Sequence, residues 1–273
     1  MRGAAWPALP ALVLLLVFFL FPVVRMLGYS VEAGSLDWYA KALGEGLYLG
    51  VFLTTFQIAL LVTALCVLLG YPLGYLIATT TPGWATLGFV FVLLPLWTSV
   101  LVRTYAWMVL LGRNGVLNRL LVESGLIGDP LPLLHNVAGV LIGMVHVLLP
   151  YMVLPVYGAV RRLDPAVLAA AEGLGASSWR AFWRITLPLT LNGVFAGAVL
   201  VFVLSLGFFI TPALLGGGRV VMIAVLIEQE VRQTLNWPFA AALSAVLLAA
   251  TLAVYAMAQR FVRGGPATDG AAP

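Results

Sequence analysis

The side chains that could take part in chemistry are few and lie far apart in this sequence. Cys66 is the only cysteine and sits in an apolar run, so no disulfide can form within the chain. His135 and His146 are eleven positions apart, and the neighbouring spacing offers no further ligands for a shared metal. We therefore expect each histidine to be a hydrogen-bonded polar residue rather than a ligand or proton carrier, and we predict no metal site.

The sequence also lacks the residues that nucleotide hydrolysis or intramembrane hydrolysis would require. Lys41 is the only lysine and no glycine-rich loop precedes it, so the Gly-x4-Gly-Lys-Ser/Thr loop that cradles phosphates is absent. The apolar runs contain no His-Glu-x-x-His, no Gly-x-Ser-x-Gly and no paired carboxylates. The sequence therefore predicts that the chain is not an enzyme and has no catalytic residue.

The composition is that of a membrane protein. Apolar residues make up 63% of the chain and charged residues only 9%, whereas soluble domains carry about 25% charged residues. The net charge of +4 comes from arginines scattered between apolar runs, without the basic stripe that nucleic-acid binding needs. We therefore expect the chain to be embedded in lipid and not to bind nucleic acid.

Runs without charge define the elements that would position any site. A span needs about 20 residues, so the uncharged run 46–102 suits two helices, separated at the turn Thr79–Gly83. The sequence predicts an all-α membrane protein with about six transmembrane helices in a single domain, 1–273. The predicted spans are about 8–29, 47–78, 85–111, 134–158, 187–212 and 239–261.

Small residues and prolines recur inside these spans. Gly70 and Gly74, Gly139 and Gly143, and Gly193 and Gly197 are each four apart, a spacing that lets membrane helices approach closely. The alternative is that glycine is simply abundant, with 28 in the chain. Prolines inside the spans, such as Pro95, can kink a helix, which suits a transporter and also occurs in inert bundles.

The arginines suggest an orientation. Six spans place both termini on one side, and residues 159–188 then lie on that side with Arg161, Arg162, Arg180 and Arg184. Cytoplasmic loops carry an excess of Arg and Lys, although the bias here is small. We therefore predict a multi-pass protein of the bacterial plasma (inner) membrane with both termini in the cytoplasm.

The loop between the fourth and fifth spans is predicted to be a rigid helix-turn-helix. Asp164 suits an N-cap, and Pro165 suits the first helical position. Strong helix formers follow until Gly175, which is typical of a helix stop. Ser177 or Ser178 can cap a second short helix that carries Arg180 and Arg184.

The same loop carries a family resemblance. Ala170 and Ala171 precede Gly175, and Ile185-Thr186-Leu187-Pro188 follows it after nine residues. The pattern resembles the Glu-Ala-Ala-x3-Gly-x9-Ile-x-Leu-Pro loop of permeases from binding-protein-dependent ABC importers, with Ala169 where the family usually has Glu. The resemblance implies the type I ABC importer permease fold, in which segment 159–186 forms a cytoplasmic coupling helix that docks on an ATPase. The residues assigned to coupling are Asp164, Pro165, Ala169, Ala170, Ala171, Gly175, Ile185, Leu187 and Pro188.

Further segments are similar to the spermidine/putrescine permease branch of that family. They are 94–99, 103–107, 115–118, 211–217 and 236–239, which spread the resemblance over nearly the whole chain. It implies that the chain moves a small solute inward, for example a polyamine, although Ala213 stands where some polyamine permeases carry an acid. The partners implied are two cytoplasmic ATPase subunits that use ATP with Mg, a second permease that is identical or related, and an extracytoplasmic solute-binding protein.

Candidate pathway residues are mainly aromatic, because aromatic faces attract cations. The alternative is an aromatic belt at the membrane interface. Glu228 could attract a cation or meet the binding protein, or belong to a solvated loop, and Arg103 is interpreted as structural or gating. The pathway candidates are Trp97, Tyr105, Trp107, Phe208, Phe209, Thr211 and Glu228.

One other class of transporter remains open. An ion-coupled secondary transporter would move a solute without an ATPase, and it normally has an ionisable residue in mid-membrane. Apart from Arg103 and the two histidines, the predicted spans offer none. Such a transporter would also leave the coupling-type loop unexplained.

Overall fold

The computed structural model describes residues 9–31 and 36–263, and this part of the chain is helical with no strand. Residue 8, where the first predicted span begins, lies outside the described residues, as do both chain ends. Helix α1 comprises Leu9–Leu15, a π-helical turn at Leu16–Leu20 and Phe21–Ser30. The other helices are α2 (Asp37–Gly44), α3 (Gly46–Thr79), α4 (Pro82–Trp97), α5 (Val100–Leu111), α6 (Val116–Glu123), α7 (Val137–Arg161), α8 (Pro165–Gly173), α9 (Ser178–Leu206), α10 (Ile210–Leu215), α11 (Ile223–Arg232) and α12 (Trp237–Arg263).

Five of the described helices are long and apolar enough to cross a membrane, namely α1, α3, α7, α9 and α12. A sixth crossing is available if α4 and the segment Val100–Glu123 count together, although the two are bent by 103°. The described chain therefore has five or six candidate spans, in agreement with the expected all-α membrane fold.

The third predicted span, 85–111, is not one straight helix. The backbone becomes extended at Thr98 and Ser99, which separates α4 from α5. The Thr98 hydroxyl donates to the Pro95 carbonyl at 3.1 Å and so satisfies an acceptor of the last turn of α4. Thr and Ser hydroxyls compete with helical hydrogen bonds in this way, and an uncharged run does not reveal such a break.

The fifth predicted span, 187–212, also differs from the structure. Helix α9 begins at Ser178 and ends at Leu206, and α10 follows as a separate short helix. Helix α10 packs against α5 and α7, and the hydroxyls of Thr104 and Thr211 lie 3.2 Å apart at this contact. Further along, the Ile223 N–H at the start of α11 donates to the Thr55 hydroxyl at 2.8 Å. The segment between α9 and α12 thus folds back onto the bundle.

Helices α3, α7 and α9 form the centre of the bundle around Met152, which is fully buried. A Cβ added to Gly70 of α3 would lie 2.6 Å from the Met152 Cγ, and one added to Gly197 of α9 would lie 2.8 Å from its Sδ. Gly74 and Gly193 leave equally little room for a Cβ, against Val156 and the Pro155 carbonyl respectively. A Cβ added to Gly143 of α7 would lie 2.6 Å from the Thr211 methyl group of α10. Five of the six paired glycines are therefore positions where a helix needs a small residue to approach its neighbour.

We expect Gly193→Val to destabilise the bundle, because its Cβ would lie 2.8 Å from the Pro155 carbonyl oxygen and against the Ala159 methyl group. Overpacking of this kind costs about 1–3 kcal/mol. The measurement is thermal unfolding of the purified protein in mild detergent. Gly50→Val is the matched control, since Gly50 lies in α3 with no atom within 4 Å of an added Cβ. Equal melting temperatures for the two variants would contradict the close approach.

Candidate functional site

The loop between α7 and α9 is a capped helical hairpin, and we call residues 163–181 the hairpin. The Asp164 carboxylate accepts the Ala166 N–H at 2.9 Å, and Pro165 occupies the first turn of α8. An N-cap of this type stabilises a helix start by about 1 kcal/mol. The start of α8 is therefore fixed by local residues, at the positions that the sequence indicates.

The end of α8 depends on Gly175. The helix ends at Gly173, two residues before the predicted stop, and Gly175 follows with a φ of +81°. In this left-handed position its N–H donates to the Glu172 carbonyl, and the Ala176 N–H donates to the Ala171 carbonyl at 3.0 Å. These two bonds form a Schellman motif, which favours glycine because a Cβ is strained at this φ.

The second helix of the hairpin starts at Ser177, one of the two serines considered for this cap. Its hydroxyl accepts the Arg180 N–H at 3.4 Å, and α9 begins at the next residue. A π-helical turn follows at Phe182–Thr186, where the Leu187 N–H bonds to the Phe182 carbonyl. Because Pro188 has no N–H to donate to the carbonyl four residues earlier, the wider turn suits this position.

Two contacts directly after the hairpin join the start of α9 to α3. The Phe182 ring packs edge-on against Tyr71 and Tyr75 of α3, with centroids 6.0 and 5.4 Å apart. One turn deeper, the hydroxyls of Tyr71 and Thr190 lie 3.0 Å apart and are buried. Through these contacts the base of the hairpin is joined to both α3 and α9.

The hairpin exposes large apolar side chains beside the exposed polar residues Asp164, Ser177 and Arg180. Leu174, at the tip, has 90% of its surface exposed, and Trp179 has 71%. Ala169 and Ala170 are also exposed, while Ala171 is buried against the bundle. Exposed apolar patches on a rigid element are typical of a protein-docking surface. Glu172 is exposed one helical turn from Ala169, and no ion pair joins it to another described residue.

Of the remaining coupling candidates, three lie where α9 meets the bundle. Leu187 packs against the central core cluster, Ile185 is half-buried and Pro188 is exposed. These residues belong to the base of the hairpin, whereas Leu174 and Trp179 form its outer face.

The pathway candidates do not form a single lining. Trp107, Phe208 and Phe209 are half-buried and pack against the central core cluster. Thr211 is buried beside Thr104. By contrast, Trp97 is 85% exposed and Tyr105 is 54% exposed, both on the outside of the chain. In α11, Glu228 pairs with Arg232 at 3.2 Å.

A polar cluster inside the spans was only partly anticipated from the sequence. The Trp107 indole N–H donates to the His146 Nδ1 at 3.0 Å, so this histidine is hydrogen-bonded as expected. Arg103, one turn earlier in α5, has its Nε and Nη1 atoms enclosed without a hydrogen-bond partner. Within the described ranges, no three His, Cys, Asp or Glu residues come together as metal ligands.

Comparison with known proteins gives consistent matches. Residues 70–264 match the family described as "Binding-protein-dependent transport system inner membrane component". The chain is 37% identical over 219 residues to the spermidine/putrescine transport system permease protein PotB of Haemophilus influenzae, covering 79% of this chain and 77% of that protein. It is 35% identical over 231 residues to PotB of Escherichia coli, covering 84% of each. A chain of the bacterial alginate ABC transporter, crystallised in complex with its alginate pentasaccharide-bound periplasmic protein, has the same fold, with a TM-score of 0.75, 19% identity and coverage of 93% and 92%.

We expect Phe182→Ala to loosen the hairpin, because it removes the ring that contacts Tyr71 and Tyr75. The cost should be on the order of 2 kcal/mol. Thermal unfolding together with amide hydrogen exchange across 163–181 measures the effect. Leu174→Ala is the control, because the Leu174 side chain lies in the hairpin and is 90% exposed. Unchanged exchange in the Phe182 variant would mean that the hairpin is held by other contacts.

Proposed function

The chain belongs to the family of inner membrane components of binding-protein-dependent transport systems, and we propose that it forms one half of the path by which an ATP-driven importer moves a polyamine into the cell. The family match and the PotB relatives confirm the predicted permease subunit of an ABC importer. The shared fold with the alginate transporter chain confirms the predicted type I permease fold. The single observation that carries the proposal is the rigid hairpin with its exposed apolar face.

We propose that a partner subunit supplies the energy for transport. The sequence has no phosphate-cradling loop before its only lysine, Lys41. Two cytoplasmic ATPase subunits would bind ATP with Mg, and an extracytoplasmic binding protein would deliver the solute. A second permease would complete the path within the lipid, beside the five or six candidate spans of this chain.

The mechanism we propose is alternating access. Closure of the ATPase dimer would push on the exposed face around Leu174 and Trp179. The Phe182 contacts and the Tyr71–Thr190 hydrogen bond would pass this push to α3 and α9. Nucleotide can bias the transition only through its different affinity for the two states. A rigid hairpin is needed for this, since a flexible loop would absorb the movement.

The solute we propose is a polyamine, because both PotB relatives are named as spermidine/putrescine permeases. The half-buried rings of Trp107, Phe208 and Phe209 are compatible with a cation, since aromatic faces attract positive charge. Four other residues are proposed to contact the solute elsewhere along the path, namely Trp97, Tyr105, Thr211 and Glu228. No structural observation favours the alternative of an ion-coupled secondary transporter.

The decisive experiment is uptake by the assembled importer. The complex purified through a tag on this chain is reconstituted in vesicles with its binding protein, and radiolabelled spermidine uptake is followed. We expect uptake that requires ATP and the binding protein. A neutral sugar serves as the control solute. Spermidine uptake driven by an ion gradient without ATP would instead support the secondary transporter.

Gly175→Val should uncouple ATP hydrolysis from uptake. The φ of +81° at this position is strained for a β-branched residue, so the tip around Leu174 would be displaced. We expect uptake to fall at least about tenfold, with the strain on the order of 1–2 kcal/mol. Gly173→Ala is the control, because Gly173 lies in α8 without a positive φ and with open space around it. Normal uptake by the valine variant would exclude a coupling role for this turn.

The orientation we propose places the hairpin and both termini in the cytoplasm. In a Cys66→Ala background, a cysteine at Ser177 should react with an impermeant maleimide only after the cells are opened. A cysteine at Arg113, which is exposed directly after α5, should react in intact cells. Labelling of the Ser177 variant in intact cells would reverse the topology.

A further inference from the structure

Arg162 follows the last residue of α7 and carries a charge that the described part of the chain does not neutralise. Its backbone N–H bonds to the Ala159 and Val160 carbonyls and so ends the helix. Its side chain is exposed and makes no ion pair with another described residue. Asp164 is the nearest acid along the chain, but its carboxylate caps α8. The guanidinium is therefore available to bind an anion.

The Arg162 side chain folds back along α7. Its Nη1 atom lies 3.6 Å from the position of a Cβ built on Gly158, and apart from the adjacent residues no other side chain comes within 4 Å of that position. Long charged side chains near span ends usually extend toward water. Here the side chain leans toward the helix N-terminus, so the charge lies beside the end of the span, at the level of lipid headgroups.

Arg162 lines a cavity of about 400 Å³ between the ends of α7 and α9. Asn192 of α9 lines it too, with an exposed side chain that makes no hydrogen bond to another described residue. The other side chains of the lining are apolar, Pro155 and Leu189 among them. A mainly apolar cavity with a few polar groups is typical of a ligand site.

A second cavity, of about 570 Å³, lies between α9 and α12 and shares Asn192 and Ala196 with the first. It extends along α9 from Asn192 to Val203, which is about 16 Å of helix. The Gln259 amide in its lining donates to the Tyr255 hydroxyl at 2.6 Å, so these two polar groups satisfy each other. The two cavities together form a groove with one basic end and a long apolar part.

This groove matches the chemistry of an anionic phospholipid. A guanidinium binds phosphate oxygens through two parallel hydrogen bonds, and the Asn192 amide can donate to a further oxygen. Basic pockets between spans on the cytoplasmic side bind anionic headgroups, and that leaflet carries the negative lipids. A soluble phosphate would use the basic end alone, whereas an acyl chain also fills the apolar part.

We propose that Arg162 and Asn192 bind the phosphate of an anionic phospholipid from the cytoplasmic leaflet, with an acyl chain between α9 and α12. This inference rests on the proposed orientation, which places the hairpin in the cytoplasm. Leu163, the first residue of the hairpin, also lines the headgroup cavity. The lipid thus occupies the space between the two spans that the hairpin joins.

The test measures lipid binding by the full chain, purified in mild detergent with the subunits that accompany it, without solute or ATP. Phosphatidylglycerol is titrated in, and the tightest-bound lipid is followed by native mass spectrometry. Arg162→Ala should lower its affinity about tenfold, because the charge-assisted bonds to the phosphate are lost. Arg161→Ala is the matched control and should bind like the wild type, because Arg161 is exposed but lines neither cavity.

Gly158→Leu tests the groove without removing a charge. The new side chain would occupy the space in which the Arg162 guanidinium lies, so we expect a similar loss of phosphatidylglycerol affinity. Gly50→Leu is the control, since a Cβ at Gly50 has no atom within 4 Å. Each variant should keep the wild-type melting temperature in lipid-free detergent, which separates lost binding from lost folding.

A photoreactive amino acid at Ala196, which lines both cavities, identifies the occupant in membranes. We expect a phospholipid adduct. The proposal would be overturned by an adduct with another subunit, by equal affinities for phosphatidylglycerol and phosphatidylcholine, or by equal losses in the Arg161 and Arg162 variants. Displacement of the lipid by millimolar inorganic phosphate would also overturn it. These measurements involve no transport, so ATP-dependent spermidine uptake is decided separately by its own assay.

Discussion

The close approach of α3, α7 and α9 is the constraint on which the rest of the structure depends. Lipid offers no hydrophobic drive for helices to associate, so van der Waals contact between backbones must hold the bundle together. Gly70 and Gly197 make room for Met152 from two sides, and Gly193 lies against the Pro155 carbonyl. Larger residues at these positions would separate α3 from α7 and α9, the two helices that the hairpin joins. The packing at the bundle centre thus sets the geometry of the surface proposed to meet the ATPase.

The hairpin combines local stiffness with firm attachment. Asp164 and Gly175 fix the start and end of α8 through bonds to residues within a few positions. Phe182 and Tyr71 then join the hairpin to α3 and α9. Neither feature would be sufficient alone, because a stiff hairpin on a loose base would tilt and a flexible loop on a firm base would bend. Together they would let a push at Leu174 move whole spans, as the proposed mechanism requires.

The sequence by itself determined the features that depend on neighbouring residues. Composition established a helical membrane protein, and uncharged runs located its spans to within a few residues at most ends. Asp164, Ser177 and Gly175 predicted the hairpin, because caps and turns are made by side chains and backbone groups only a few positions apart. The exposed apolar tip at Leu174 follows from that turn.

Only the tertiary structure decided which faces of the spans meet. Trp97 and Tyr105 point outward while Trp107 and Thr211 point inward, although all four were equal candidates in the sequence. The return of α10 to α5 was likewise decided by packing. The physical reason is the solvent: a helix in lipid is apolar on every side, so its sequence carries no polar face to indicate which residues are buried.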